Sequence, residues 1–96
     1  MPKGYVVLAE SVHDPEGMRA YAEAAAKVRP EGATVLAVEQ QPEVLEGEWP
    51  ATQTVVLEFE SVEAARAWYH SEGYQAAAQL RHAAADTNVV ILAGFG

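Results

Sequence analysis

The chain has no cysteine, which excludes a disulfide framework, thiol catalysis and thiolate metal sites together. Basic residues are also scarce: six Lys and Arg stand against 14 Asp and Glu, for a formal charge of −8. Such a field repels phosphate backbones and anionic lipid, so neither nucleic acid nor membrane is an expected partner. Lys3, Arg19, Lys27, Arg29, Arg66 and Arg81 are scattered rather than clustered. The longest apolar stretch, Val89 to Ala93, is far too short to cross a bilayer. Phosphate-cradling glycine loops, a Gly-x-Ser-x-Gly elbow and a nucleotide fingerprint are all missing. The three histidines fit no ligand spacing, and His70 and His82 project to the polar sides of their helices. No cofactor and no metal is therefore expected. Met1-Pro2-Lys3-Gly4 runs straight into a strand-like segment without a signal-peptide pattern, which predicts a cytoplasmic protein.

What is present suits one small domain. Half of the 96 residues are apolar, enough for a real core. A chain of this length buries only roughly two-thirds of its unfolded surface, so little stability is spare.

Hydrophobic periodicity divides the chain into seven segments. Residues 4–12 form a strand, apolar without a break from Tyr5 to Ala9. Asp14, Pro15 and Glu16 announce a helix to about Arg29: a cap, a residue suited to the first helical position and a charge that complements the dipole. Met18, Tyr21, Ala22, Ala25 and Val28 share one face of it. Pro30 and Glu31-Gly32 end it, and residues 33–40 make a second strand. Residues 41–51 read as an extended arm, and 52–59 as a third strand. Ser61 caps the next helix, whose apolar arc holds Val62, Ala64, Ala65, Trp68 and Tyr69. Ser71-Glu72-Gly73 breaks the run, and a further helix runs from about Tyr74 to Ala85. Asp86-Thr87-Asn88 reads as a turn before a last strand over 89–93. The order β-α-β-β-α-β predicts an α+β, ferredoxin-like domain with helices on one face of a four-stranded antiparallel sheet.

The first and last strands carry apolar residues on both faces, yet helices shield only one face. An identical sheet in a two-fold contact would cover the other, so a homodimer through the open face is expected.

Several segments together resemble a small bacterial family catalogued as domain of unknown function 1330. They are Lys3-Gly4-Tyr5, Asp14-Pro15, Val44-Leu45-Glu46-Gly47 with Trp49, Glu58-Phe59, Ser61, Ala64-Ala65, Trp68-Tyr69, Ser71, Tyr74-Gln75 and Arg81. The resemblance covers nearly the whole chain. It implies a ferredoxin-like fold in the dimeric α+β barrel superfamily, which includes cofactor-independent monooxygenases, small-molecule isomerases and haem-binding enzymes. The family itself has no established activity. Where it usually has Ser-Pro-Glu-Tyr, this chain has Ser71-Glu72-Gly73-Tyr74, which suggests a looser helix break.

Arg81 is the principal anomaly. It projects into the middle of an apolar arc formed by Tyr74, Ala77, Ala78, Ala84 and Ala85. A guanidinium aimed at a sheet needs a carboxylate, carbonyls or a bound anion; alternatively its stem packs while its head reaches water. Glu10 and Glu39 are alternative carboxylate partners. Glu58, on the strand face opposite Leu57 and Phe59, would point into the dimer interior, where burial raises a carboxylate pKa toward that of a general base; the alternative is a partly solvated glutamate paired across the dimer. His13, at a strand end, is a second candidate base or, alternatively, a ligand to haem iron. Glu46 and Trp49 would line a pocket mouth or pack against the partner subunit. Trp68 and Tyr69 are core residues by position, each able to offer a polar tip to a ligand. Two functions remain open: a protein that binds or transforms a small anionic or polar metabolite without a cofactor, and a non-catalytic dimeric module.

Overall fold

Asp14 accepts a hydrogen bond from the Gly17 amide and Pro15 opens the first helix, so α1 spans Pro15–Lys27 in the computed structural model, which describes residues 2–95. The other elements are β1 (Gly4–Val12), β2 (Thr34–Glu39), β3 (Gln53–Phe59), α2 (Val62–His70), α3 (Glu72–Ala84) and β4 (Ala85–Ala93). The sheet is antiparallel with the order β2-β3-β1-β4, the ferredoxin-like arrangement expected.

Register fixes what each face presents. On the helix side, Val35, Leu57, Val6 and Ile91 form one row across the strands, and Val38, Val55, Leu8 and Val89 form the next. Beyond them lies a polar row of Gln53, Glu10 and Thr87. On the open side, Ala37, Val56, Val7 and Val90 form an apolar row, beside one of Thr34, Glu58, Tyr5 and Leu92. Val90 and Leu92 are 49% and 50% exposed.

The core lies beneath α2 and α3. Val6, Leu8, Leu57 and Phe59 of the sheet meet Ala65, Trp68, Tyr74 and Ala78. Trp68 stacks at 4.0 Å from Tyr74 and 5.1 Å from Phe59, centroid to centroid. Helix α1 docks on α3 rather than on the sheet. Small residues allow that approach: a Cβ on Gly17 would lie 2.9 Å from the Ala84 Cβ, and one on Gly73 2.9 Å from Val28 Cγ1.

Two sequence expectations are corrected. Asp86, Thr87 and Asn88 are not a turn; Ala85 goes straight to extended backbone, and the three residues pair with Ser11, Glu10 and Ala9. The helix break is tight rather than loose. Ser71 Oγ donates to the Trp68 carbonyl at 2.7 Å and accepts from the Tyr74 amide at 3.2 Å, closing one helix and capping the next. Gly73, in place of a bulkier residue, lets Val28 reach that junction. Among the described residues no helix is long and apolar enough to cross a membrane.

Because one hydroxyl serves both helices, Ser71→Ala should destabilise the chain by about 1–2 kcal/mol in denaturant titrations; a loss within error would mean that water replaces the cap.

Candidate functional site in the cleft beneath α1

The side of α1 that overhangs β2 and β3 carries Ala22, Ala25 and Ala26. Methyl groups do not reach the sheet from a helix held away by α3. A cleft of about 490 Å³ remains between them. Its floor is Leu8, Val55, Leu57, Val35 and Val38, with Met18, Tyr21 and Trp68 as walls. At one end stand Glu10 and Gln53 of the polar row, with Gln40. Arg19 and Arg29, ten residues apart along α1 and its C-terminal extension, edge the cleft at opposite ends.

Glu10 is only 1% exposed. Its Oε1 accepts from Gln53 Nε2 at 2.7 Å, while its Oε2 has no hydrogen-bond partner. Burial raises the Glu10 pKa above its ordinary value, and the Gln53 bond and the Arg81 charge offset this only in part. Arg81 is 2% exposed, with Nε and Nη2 unpartnered. Its guanidinium lies 5.7 Å from the centroid of the Tyr21 ring. Burial works against the Arg81 charge, but the Tyr74 and Tyr21 oxygens outweigh it and lift the pKa further. The two tyrosine hydroxyls share a 2.7 Å hydrogen bond. Burial, then the Tyr74 oxygen, pushes the Tyr21 pKa far up, so its phenol remains a protonated donor at neutral pH. Thr87 Oγ1, in the row with Glu10, is buried and unpartnered as well. Within salt-bridge distance the described residues form one ion pair, Lys3–Glu58 at 3.9 Å; Arg19, Arg29 and Arg81 take part in none.

The sequence candidates scatter around this arrangement. Arg81 points at the sheet as expected and shares the helix side with Glu10, whereas Glu39 lies on the open side beside Thr54. Trp68 lines the cleft from within the core. Tyr69 is half-buried against that core, outside the cleft lining, and its carbonyl accepts from Gln75. Glu58 occupies the open face, where the Tyr5 hydroxyl donates to it at 3.1 Å; that bond, above burial and the Glu58 charge, raises the Tyr5 pKa. The side chain of His13 is exposed, and its backbone amide donates to the Ala84 carbonyl. Of the two roles expected for Glu46 and Trp49, pocket mouth or partner contact, the first is corrected for this cleft: Trp49 Nε1 donates to Thr54 Oγ1 at 2.7 Å on the opposite face of the sheet, Glu46 is exposed, and neither lines the cleft. Glu10 itself, considered from sequence only as a partner for Arg81, is the carboxylate that lines it. Its signal was parity, since it shares the phase of Val6 and Leu8. Among the described residues no cluster of three or more His, Cys, Asp or Glu could hold a metal ion.

Residues 3–95 match the family described as Domain of unknown function (DUF1330). The chain belongs to this family. Solved structures place the DUF1330 chain among similar folds. The RPA0582 protein of Rhodopseudomonas palustris, of unknown function, has a TM-score of 0.79 at 18% identity, over 99% of this chain and 84% of that one. A dimeric ferredoxin-like protein of unknown function from Thermobifida fusca has a TM-score of 0.66 at 15% identity, covering 96% and 91%. SnoaB of Streptomyces nogalater, a cofactor-independent oxygenase, has a TM-score of 0.66 at 17% identity, covering 100% and 96%. No curated protein matches the chain in sequence.

The Glu10 environment gives stability a pH slope. The folded chain holds the Glu10 proton to higher pH than the unfolded chain. This contribution is therefore full below the ordinary glutamate value of 4.5 and is lost as pH rises through the raised folded value. Denaturant titrations across that window should show wild type losing stability relative to Glu10→Gln as pH rises; a constant difference would place Glu10 in a watery or fully paired setting.

Proposed function

We propose that this DUF1330 protein is a cytoplasmic homodimer that binds, and through Glu10 acts on, a small polar or anionic metabolite in the α1 cleft without a cofactor. The observation that carries this reading is a buried carboxylate with one free oxygen, at the end of a cleft whose floor is aliphatic. A carboxylate whose pKa is raised by burial is a stronger base than an ordinary glutamate, which suits it to accept a proton from a bound hydroxyl or activated carbon acid. Arg81 and the Tyr21–Tyr74 hydroxyl pair lie beside it and would stabilise the negative charge that such a transfer leaves. SnoaB is a cofactor-independent oxygenase of similar fold, which makes catalysis by side chains alone compatible with this scaffold.

A non-catalytic module is the alternative, in which interior charges would be structural pairs. The unpartnered Glu10 Oε2, Arg81 Nε and Arg81 Nη2 weigh against it. Glu58, His13, Glu46, Trp49 and Tyr69 have no part in the proposed chemistry. Glu58, Trp49 and Tyr5 instead belong to the open face, where the partner subunit would lie. Support for the dimer comes from the open-face row of half-buried Val56 and Val7 with exposed Val90, from exposed Leu92, and from the dimeric neighbour of Thermobifida fusca.

Filling the cleft separates binding from folding. Ala25→Leu should keep or raise the Tm, because it adds apolar contacts to an underfilled space. 2-Naphthol should raise the wild-type Tm, and the substitution should abolish that shift; no shift in the wild type, or an equal shift in both proteins, would sink the cleft as the site. For the dimer, Leu92→Asp should convert the species seen by sedimentation from two chains to one. A wild-type protein that sediments as a single chain at micromolar concentration contradicts that part of the proposal.

A further inference from the structure

The proposed cleft also has a polarity that specifies its ligand. Glu10 and Gln53 close one end, and Arg29 edges the other, beyond Val35 and Leu57. Along β1, the four residue-to-residue steps from Glu10 to Val6, the partner of Leu57, span roughly 13 Å. The floor between is aliphatic: Leu8, Val55 and Val38.

Charge decides which ligand group goes where. A carboxylate beside Glu10 would meet a like charge in a poorly solvated site, which is costly. An ammonium there would meet Arg81 behind and Arg19 at the same end of α1. A neutral donor such as a hydroxyl suits the free Glu10 Oε2, since it brings a proton and no charge. The opposite end has the reverse character. Arg29 is exposed at the cleft edge and is in no ion pair, in a chain where acidic residues outnumber basic ones by 14 to 6. A guanidinium there fits a carboxylate in a two-pronged contact.

We propose that the cleft, on the reading given above, takes an elongated hydroxy acid: an apolar body roughly 13 Å long, its hydroxyl on Glu10 and its carboxylate on Arg29. The body is aliphatic or a fused aromatic system, since the walls offer hydrocarbon along their length. Aldehyde oxidation or ester hydrolysis is the class of reaction that generates the carboxylate of such a molecule, and hydroxylation the class that generates its far end.

Three probes that differ only at their ends test this by calorimetry: 10-hydroxydecanoate, decanoate and 1,10-decanediol. The wild type should bind 10-hydroxydecanoate about tenfold more tightly than either of the others, as expected for one charge-assisted contact or one satisfied buried acceptor. Arg29→Gln should bring 10-hydroxydecanoate down to the level of the diol while leaving diol binding unchanged. Equal binding of 10-hydroxydecanoate and the diol, or of 10-hydroxydecanoate and decanoate, to the wild type overturns the ligand class, as does a preference for 10-hydroxydecanoate over the diol that persists in Arg29→Gln or a failure of all three to bind. Binding of all three that Ala25→Leu leaves untouched overturns the cleft reading itself. Those outcomes are distinct, because Arg29 is a surface residue and Ala25 a wall residue, so each protein variant reports on one claim.

Discussion

Helix α1 lies along α3 through contacts that small side chains permit, with Gly17 at Ala84, Gly73 at Val28, and the Tyr21 and Tyr74 hydroxyls bonded between them. The amides of His13 and Asp14 both donate to the Ala84 carbonyl and pin the start of α1 to the end of α3. That docking sets the height of α1 above β2 and β3. With alanines on its inner side, the helix cannot fill what lies below. Longer side chains there would close the space and add apolar burial, which a chain of this size could use. Alanine at these positions forgoes that stability and leaves a cleft.

The same docking explains the electrostatics. Arg81 enters from α3 and Glu10 from β1 on the same side of the sheet, yet no ion pair joins them. Gln53 and the tyrosines surround the two charges with neutral groups that hydrogen-bond one another as much as the charges. The Coulombic attraction therefore only partly offsets the cost of burying the carboxylate. A direct pair would lower the basicity of Glu10; separation leaves its carboxylate a stronger base.

Much of the fold was legible from residues alone. The caps at Asp14 and Ser61, the stop at Pro30 and the uninterrupted apolar strands gave the element order and the sidedness of the helices. The start of β4 was not legible, because Asp86-Thr87-Asn88 has turn chemistry and is held extended by β1, a tertiary effect. Arg81 stood out because a charge in an alanine arc is visible by projection. Glu10 was harder: at the end of a strand apolar on both faces, only its phase with Val6 and Leu8 marks it as inward. For a different reason, the mouth reading of Glu46 and Trp49, one of two expected, does not hold for this cleft. The arm follows β2, and local sequence does not say over which face of the sheet it returns; Trp49 is drawn to Thr54 on the open side.

A carbon-detected NMR titration of the Glu10 side-chain carboxyl tests the core of this account most directly. The structure requires a midpoint clearly above the ordinary glutamate value of 4.5, shifting higher still in Arg81→Met as the neighbouring positive charge disappears. A midpoint at or below 4.5 would mean that Glu10 is already neutralised by a close ion pair or bathed in water, and the separated-charge cleft would be contradicted.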